Sequence, residues 1–498
     1  MRGIMLLGLS FLWCGFAPAT AHAEPTPPNI IWIIVDDMSA NFSCYGEKSI
    51  QTPAVDRLAA EGTRYTRAFV TAPVCSACRS ALITGCYQTT IGAHHHRSGR
   101  GELKINLPPD VVPLPKLMQA RGYYTAIGGP PSKAANQAAK GGKQLGKTDY
   151  NFEWDKKIYD GNDYAGRKPG QPFFMQYMLQ GGKLRHGAGF VARAAKDLGS
   201  NTKADDVTLP PYYPRDKVLL DDWAEYLDAA RYTDYEVAQI VERLKKEGLL
   251  ESTVIIFMTD HGISHARGKQ FLYDEGIHVP LILRGPGIKT GETKTDFAQQ
   301  IDLAPTTLAL AGAAIPSGMQ GRNLLDASLV PRDAVYSARD RCDETMEHLR
   351  SVRTERYKYI RNYLNERPHL QPNAYKDAKP IVKRLRELHE QGKLNELQEK
   401  LLFAPQRAPE ELYDLEKDPQ ELVNLAAEPA HAETLAMLRK KLHDWENATN
   451  DRGRTPESPA QYDADMAVYL GEGTAKEGGK QQLRANIEQN KQWAKEGK

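Results

Sequence analysis

Apolar residues along this chain fall into two rhythms. The stretch NIIWIIVDDM, Asn29 to Met38, is a continuous, largely β-branched run that stops at two aspartates. A run without polar alternation predicts a strand buried on both faces, hence a central and parallel one. TPAVDRLAAEG reads as the next helix, with Thr52 as N-cap, a proline in its first turn and Gly62 as its stop. Strand and helix then alternate: TRYTRAFV is a strand, SACRSALITG and LPKLMQARG are helices, and YYTAI and PFFMQYML are strands. Between Leu219 and Leu250, Trp223, Leu227, Ala230, Val237, Val241 and Leu244 recur at spacings of three, four or seven, which predicts one long amphipathic helix. STVIIFMTDHG repeats the opening design and ends in Asp260 and His261; VPLILRGPG adds a strand and DLAPTTLALAG a helix. This alternation predicts an α/β fold, a large doubly wound mixed sheet flanked by helices, with ligands at the carboxyl ends of its strands.

After about Arg332 the rhythm changes. AVYSARD and LRSVRTERYKYIRNY alternate in period two, as antiparallel strands do, and charged helices follow at Ile381–Leu402 and Ala432–Trp445. The predicted organisation is a catalytic domain over 24–331, a smaller α+β domain over 332–470 built on an antiparallel sheet, and a polar, flexible tail over 471–498.

Residues 1–23 stand apart. Arg2 precedes an apolar run from Ile4 to Ala17, and Ala21-His22-Ala23 is a small-x-small cleavage site. That run falls short of the roughly 20 residues of a membrane span, and bulky Trp13 before Cys14 argues against a lipid anchor. The expectation is a cleaved export signal, a periplasmic or extracellular chain (lysosomal or secretory in a eukaryote), and no membrane anchor in the mature protein. With 41% hydrophobic and 26% charged residues the chain is globular in composition. A formal charge of +2 excludes capture of a polyanion by bulk attraction, and no basic stripe with interleaved aromatics marks a nucleic-acid partner. Cleavage leaves Cys44, Cys75, Cys78, Cys86 and Cys342, an odd set that implies an unpaired or chemically altered thiol.

Asp36 and Asp37 end one buried strand and Asp260 another. Carboxylates meeting at one sheet edge repel unless a cation lies between them. Oxygen ligands select Ca²⁺ or Mg²⁺, while His261 leaves manganese or zinc open. Cys75 and Cys78 form a Cys-x-x-Cys pair, but a zinc site would need Cys86 or His94, His95 and His96 at irregular spacing, and the three histidines read as a solvated loop.

The longer string Cys75-x-Ala77-x-Arg79-Ser80-x-Leu82-x-Thr84-Gly85 resembles the signature of the sulfatase family, whose fold is alkaline-phosphatase-like. That resemblance implies conversion of Cys75 to formylglycine by a formylglycine-generating enzyme during export. It implies Arg79 as the group that holds the hydrated aldehyde, and a divalent ion, usually calcium, on Asp36, Asp37, Asp260 and His261 together with an oxygen of residue 75. Cys78 and Cys86 are left as buried thiols or a disulfide. Lys269 in GKQFLYDEG matches the family lysine that contacts the sulfate. The second family motif is altered: Gly122-Tyr123-Tyr124-Thr125 is followed by GGPPSKAANQAAKGGKQL before Gly146-Lys147-Thr148-Asp149. Lys147 is taken as the catalytic lysine, with Lys133, Lys140 and Lys143 as rivals and Asp149 where histidine is common. Lys183 or His186, after PFFMQYMLQGG, is the expected leaving-group acid.

The segments EHLRSVRTERYKYIRNY and ELYDLEKDPQELVNLAAEPAHAETLAMLRKKLHDWE resemble the glycan-sulfatase branch that includes the heparan N-sulfatase. Arg339, Arg341, Arg350 and Arg353 cluster there, and Arg341 and Arg350 are candidate contacts to a sulfated oligo- or polysaccharide. Heparan-type, other glycosaminoglycan and algal polysaccharide sulfates all stay open as substrates. So do a phosphonate or phosphodiester hydrolase of the same superfamily and a non-catalytic glycan-binding relative.

Overall fold

A computed structural model of the chain describes residues 27–131, 144–471 and 477–498. The expected signal over 1–23 and the rival lysines Lys133, Lys140 and Lys143 lie outside the described residues. The first sheet holds β1 (Asn29–Val35), β2 (Thr63–Phe69), β3 (Tyr124–Gly128), β4 (Phe173–Leu179), β5 (Thr253–Thr259), β6 (His278–Arg284), β7 (Glu292–Lys294) and β8 (Ala298–Gln299). Its order is β3-β4-β1-β5-β6-β2-β7, with β8 beside β2. The continuous apolar run of β1 is central as expected: Ile30 to Val35 are fully buried, and β1 pairs in parallel with both β4 and β5. The antiparallel pairs β5–β6 and β6–β2 make the sheet mixed.

The register of these central strands builds the site. Val35 lies opposite Leu179 of β4 on one side and Thr259 of β5 on the other. The residues that follow, Asp36-Asp37, Gln180 to Lys183, and Asp260-His261, therefore emerge together at one edge. The chain after β3 joins them, because the Gly146 N–H donates to Ile127 O at 2.9 Å. A Cβ at Gly146 would stand 2.9 Å from the Gly128 nitrogen, so a glycine is required for this approach, which delivers Lys147.

The main helices are α1 (Cys75–Thr84), α2 (Lys217–Lys246), α3 (Ala432–Ala448), α4 (Pro459–Gly471) and α5 (Glu477–Lys495). The long helix expected from the period of three and four is α2, and its Trp223, Leu227, Ala230, Val237 and Leu244 are buried. A second sheet, β9 (Ala334–Arg339), β10 (Leu349–Thr354), β11 (Tyr357–Asn362) and β12 (Glu410–Asp414), is antiparallel throughout. The expected 331/332 boundary separates the two sheets along the chain, yet one apolar core joins Val35 and Phe257 to Val335, Ile360 and Leu385.

Two expectations need correction. The charged stretch 381–402 is a helix over Pro380–Glu390, a turn, and a short irregular helical piece over Glu396–Phe403 rather than one continuous helix. The tail expected to be flexible contains α5, with Ile487 and Asn490 buried, and Asn490 Oδ1 accepting the Met346 N–H at 3.0 Å. Polar side chains here bond inward, which composition alone does not reveal. All five described cysteines are free thiols, so Cys78 and Cys86 form no disulfide. No helix among the described residues is long and apolar enough to cross a membrane.

Candidate active site

Cys75 is the first residue of α1, where unpaired N–H groups favour an anion. Its Sγ stands 3.1 Å from His261 Nε2, 3.3 Å from Lys269 Nζ, 3.5 Å from Lys183 Nζ and 3.7 Å from Asp37 Oδ1. Burial pushes the thiol up, but Lys147, Lys183, Lys269 and His261 outweigh it and bring it down to about 7. Arg79 follows one turn later. It donates to Asp260 Oδ2 from Nε at 3.2 Å and from Nη2 at 3.0 Å, and it also pairs with Asp36, so it ties two strand ends together. Ser80 accepts the Asn151 N–H at 3.0 Å, which anchors the chain just beyond Lys147 and Asp149. The motif residues thus fix both the position of residue 75 and its surroundings.

Lys147 Nζ reaches Asp36 Oδ2 at 3.1 Å, and Asp149 lies 3.5 Å behind it. Lys183 Nζ reaches the same Asp36 oxygen at 2.8 Å and Asp37 at 3.7 Å. Lys269 donates to Asp37 at 3.1 Å. Burial would raise both aspartates; Arg79, Lys147 and Lys183 hold Asp36 well below the carboxylate range, and Lys183, Lys269 and His261 do the same for Asp37. Burial would lower Lys183, yet Asp36 and Asp37 push it well above the ordinary lysine value. It is therefore a fixed cation more than a ready proton donor.

Arg79, Lys147, Lys183 and Lys269 converge on Asp36, Asp37 and Asp260, with Asp149 behind Lys147. The donor set fits a divalent ion. Asp37, Cys75 and His261 bring ligand atoms within 4.8 Å of one another, and His261 Nε2 is 3.5 Å from Asp260 Oδ1. His261 Nδ1 donates to Gly262 O at 2.9 Å, so Nε2 is the ring nitrogen that faces the cluster.

Other expected residues sit elsewhere. His186 Nε2 pairs with Asp222 at 2.6 Å, and Asp222 is already bound to Arg185 and His265. Lys183, and not His186, joins the cluster around Cys75. Arg341 and Arg350 are 1% and 0% exposed in their side chains. Arg341 pairs with Glu457 at 2.7 Å and with Asp465, and Arg350 pairs with Asp340 and Asp451 at 3.1 Å. With every charge answered inside the fold, neither reaches a sugar, and the substrate-contact expectation for them falls. His94 and His96 are buried rather than solvated, and His96 Nδ1 bonds Ser76 Oγ at 2.7 Å.

One site residue carried no signal in the chain. Tyr375 Oη donates to Asp37 Oδ2 at 2.7 Å, and its ring lies 4.6 Å from Lys269 Nζ. It comes from the polar segment after β11, with no motif around it, and only tertiary packing brings it here. A cavity of about 530 Å³ lined by Pro53, Arg57, Asp234 and Arg284 lies at the opposite edge of the sheet and includes none of the residues around Cys75.

Residues 28–313 match the family model described as Sulfatase. The chain belongs to the sulfatase family. Residues 261–404 of this sulfatase also match the model for the C-terminal part of N-sulphoglucosamine sulphohydrolase, which places it in that branch. The sulfatase is 32% identical to an ulvan-active sulfatase of Formosa agariphila, over 88% of this chain and 78% of that one. It is 25% identical to human N-sulphoglucosamine sulphohydrolase, over 88% of this chain and 93% of that one. In fold it is similar to a protein solved in complex with its substrate D-glucosamine-2-N,6-O-disulfate, with a TM-score of 0.58, 19% identity, and coverage of 85% of this chain and 98% of that one. Its reaction class is sulfuric ester hydrolysis.

Proposed function

We propose that this sulfatase is exported and releases sulfate, held as an ester or an N-sulfate, from a sulfated oligo- or polysaccharide, with Cys75 converted to formylglycine as its nucleophile. The observation that carries the reading is the ring of His261, Lys269, Lys183 and Asp37 within 3.7 Å of the Cys75 side chain. The sulfur stands where a nucleophilic oxygen of the hydrated aldehyde would be. The saccharide class is supported by the names of the two similar proteins, an ulvan-active sulfatase and N-sulphoglucosamine sulphohydrolase.

The chemistry favours a geminal diol over a thiol or a serine hydroxyl. One diol oxygen attacks sulfur, the bond from sulfur to the sugar oxygen or nitrogen breaks, and that atom takes up a proton. The second hydroxyl then loses its proton and forms the carbonyl, which breaks the C–O bond to sulfate and frees it. Water restores the diol. A thiol or serine adduct has no second hydroxyl and would stay sulfated. Lys183 and Lys269 offset charge that grows on the transferring group, in a site where water is largely excluded. Lys147 keeps Asp36 ionised, Arg79 holds Asp36 and Asp260 in place, and Tyr375 fixes the Asp37 carboxylate.

Asp36, Asp37, Asp260 and His261 would hold the divalent ion, calcium by the oxygen-rich donor set, and this ion would polarise the sulfate and the nucleophile when bound. Export is read from residues 1–23, and the formylglycine-generating enzyme is the partner met on the way. The non-catalytic alternative rested on the altered second motif; Lys147 nonetheless reaches Asp36 at 3.1 Å, which supports catalysis.

The test is desulfation of a panel of defined sulfated oligosaccharides by the modified enzyme. At least one member should lose sulfate, and Cys75→Ala should lose all release. Release undiminished in Cys75→Ala, or turnover of an aryl phosphodiester ahead of every sulfate, would overturn the reading.

A further inference from the structure

Arg97 is held beside the nucleophile with its charge unspent. Its backbone takes a positive φ of 55°, a conformation uncommon for a side chain of this size. Its N–H donates to Ser76 Oγ at 2.9 Å, and that same hydroxyl meets His96 Nδ1 at 2.7 Å. Ser76 directly follows Cys75, so the strained turn at 96–97 is fastened to the first turn of α1. The side chain that results is 41% exposed, and its guanidinium Nε is buried without a hydrogen-bond partner.

The nearest carboxylate does not neutralise it. Asp149 Oδ1 is 3.8 Å from Arg97 Nε, and Asp149 already pairs with Lys147 at 3.5 Å and with Arg100. One carboxylate thus faces three cations. Asp343, also at a positive φ, is engaged by Tyr469 Oη at 3.0 Å and by His96 Nε2 at 3.5 Å. Burial would lower the Arg97 pKa, but Asp149, Tyr469, Asp343 and Cys75 together raise it. The arginines first expected to meet a sugar contrast with it. Arg341 and Arg350 are enclosed by carboxylates, whereas Arg97 keeps a part-exposed side chain and an unpartnered Nε, and a guanidinium is a planar donor fork that recognises carboxylate or sulfate oxygens two at a time.

Building on the proposed glycan-sulfatase reaction, we infer that Arg97 binds a second oxyanion of the substrate, a carboxylate or a further sulfate near the sulfate that is removed. Its substrate is then a sugar or oligosaccharide with at least two anionic groups, and Arg97 selects it by binding.

The test uses the full-length modified enzyme, Arg97→Gln and Arg97→Lys. Its substrates are a disulfated glucosamine with its monosulfated counterpart, and a sulfated uronate disaccharide with its carboxyl-reduced counterpart. Affinity for the same four ligands is read by calorimetry in a Cys75→Ala background, independently of turnover. Arg97→Gln should weaken binding of one or both doubly anionic ligands by about 10- to 100-fold, mainly in KM where turnover occurs, with the singly anionic partners within about 3-fold. Arg97→Lys should recover part of the loss. A deficit confined to the disulfated sugar identifies sulfate as the second group, and one confined to the uronate pair identifies carboxylate. Equal affinity within each pair, or an equal loss for both members, would overturn the inference. Intact binding selectivity without turnover of any substrate would instead count against the proposed reaction and leave the role of Arg97 supported.

Discussion

Replacing Lys183 by methionine removes one cation from beside residue 75 while keeping the side chain up to the position of Cε. Its Nζ lies 3.5 Å from Cys75 Sγ and 2.8 Å from Asp36 Oδ2. Two unit charges at that separation interact by about 5 kcal/mol at an effective dielectric of about 20. The side chain is 29% exposed, and Lys269 stays in place 3.3 Å from the same atom. Water and a fractional charge in the transition state reduce the effect to about half, ~2–3 kcal/mol, or roughly 30- to 150-fold in rate. His186→Asn should change the rate by less than about 3-fold, because its imidazole is spent on Asp222 at 2.6 Å. The assay is kcat and KM on one sulfated saccharide for wild type and both variants across pH. Asp36 and Asp37 keep Lys183 protonated well above the ordinary lysine range, so its deficit should be flat through neutrality. A Lys183→Met enzyme within 3-fold of wild type, or a pH limb lost only in His186→Asn, would refute this assignment.

Further outcomes follow from the buried charges. Arg350→Met strands Asp340 and Asp451 inside the fold and should cost about 3–5 kcal/mol, seen as a lower urea midpoint, while KM of the folded fraction stays unchanged. An unchanged midpoint would mean that the arginine is not enclosed as described. At Lys379, burial, Arg185 and Lys269 lower the pKa to about 7 against the pull of Asp37 and Asp222. Competitive acetylation read by mass spectrometry should therefore find it half-reactive at about 7, against about 10.4 for an ordinary lysine. Its folded value lies below its unfolded one, so its contribution to stability should rise with pH between those two values; reactivity at the ordinary value would contradict this.

Much of the site was legible because it sits on local patterns. The buried runs ending in Asp36-Asp37 and Asp260-His261 announced strand ends, and parallel pairing in register made those ends neighbours. The motif from Cys75 to Gly85 was continuous, so one helix carried Cys75 and Arg79 together. Lys147 and Lys269 were found from short glycine-lysine contexts. What failed depended on distant parts of the chain. Arg341, just after β9, and Arg350 on β10 resembled a surface cluster, yet Asp451, Glu457 and Asp465 arrive from the C-terminal end to bury them. His96 read as solvated because its partner Ser76 lies twenty residues away across a turn. Tyr375 and Arg97 lie in segments with no periodicity, and only the packing of the two sheets over one core brings them to the site. The polar α5 was misjudged because asparagines that bond inward look, in composition, like a solvated tail.

The central claim is that a carbonyl at position 75, and not a thiol, performs the attack. Its most direct test is mass spectrometry of the proteolytic peptide containing residue 75, taken from the same preparation whose specific activity is measured. The account predicts the aldehyde mass in active protein, with activity proportional to the modified fraction across preparations. Full activity in protein whose peptide carries an unmodified cysteine would contradict it.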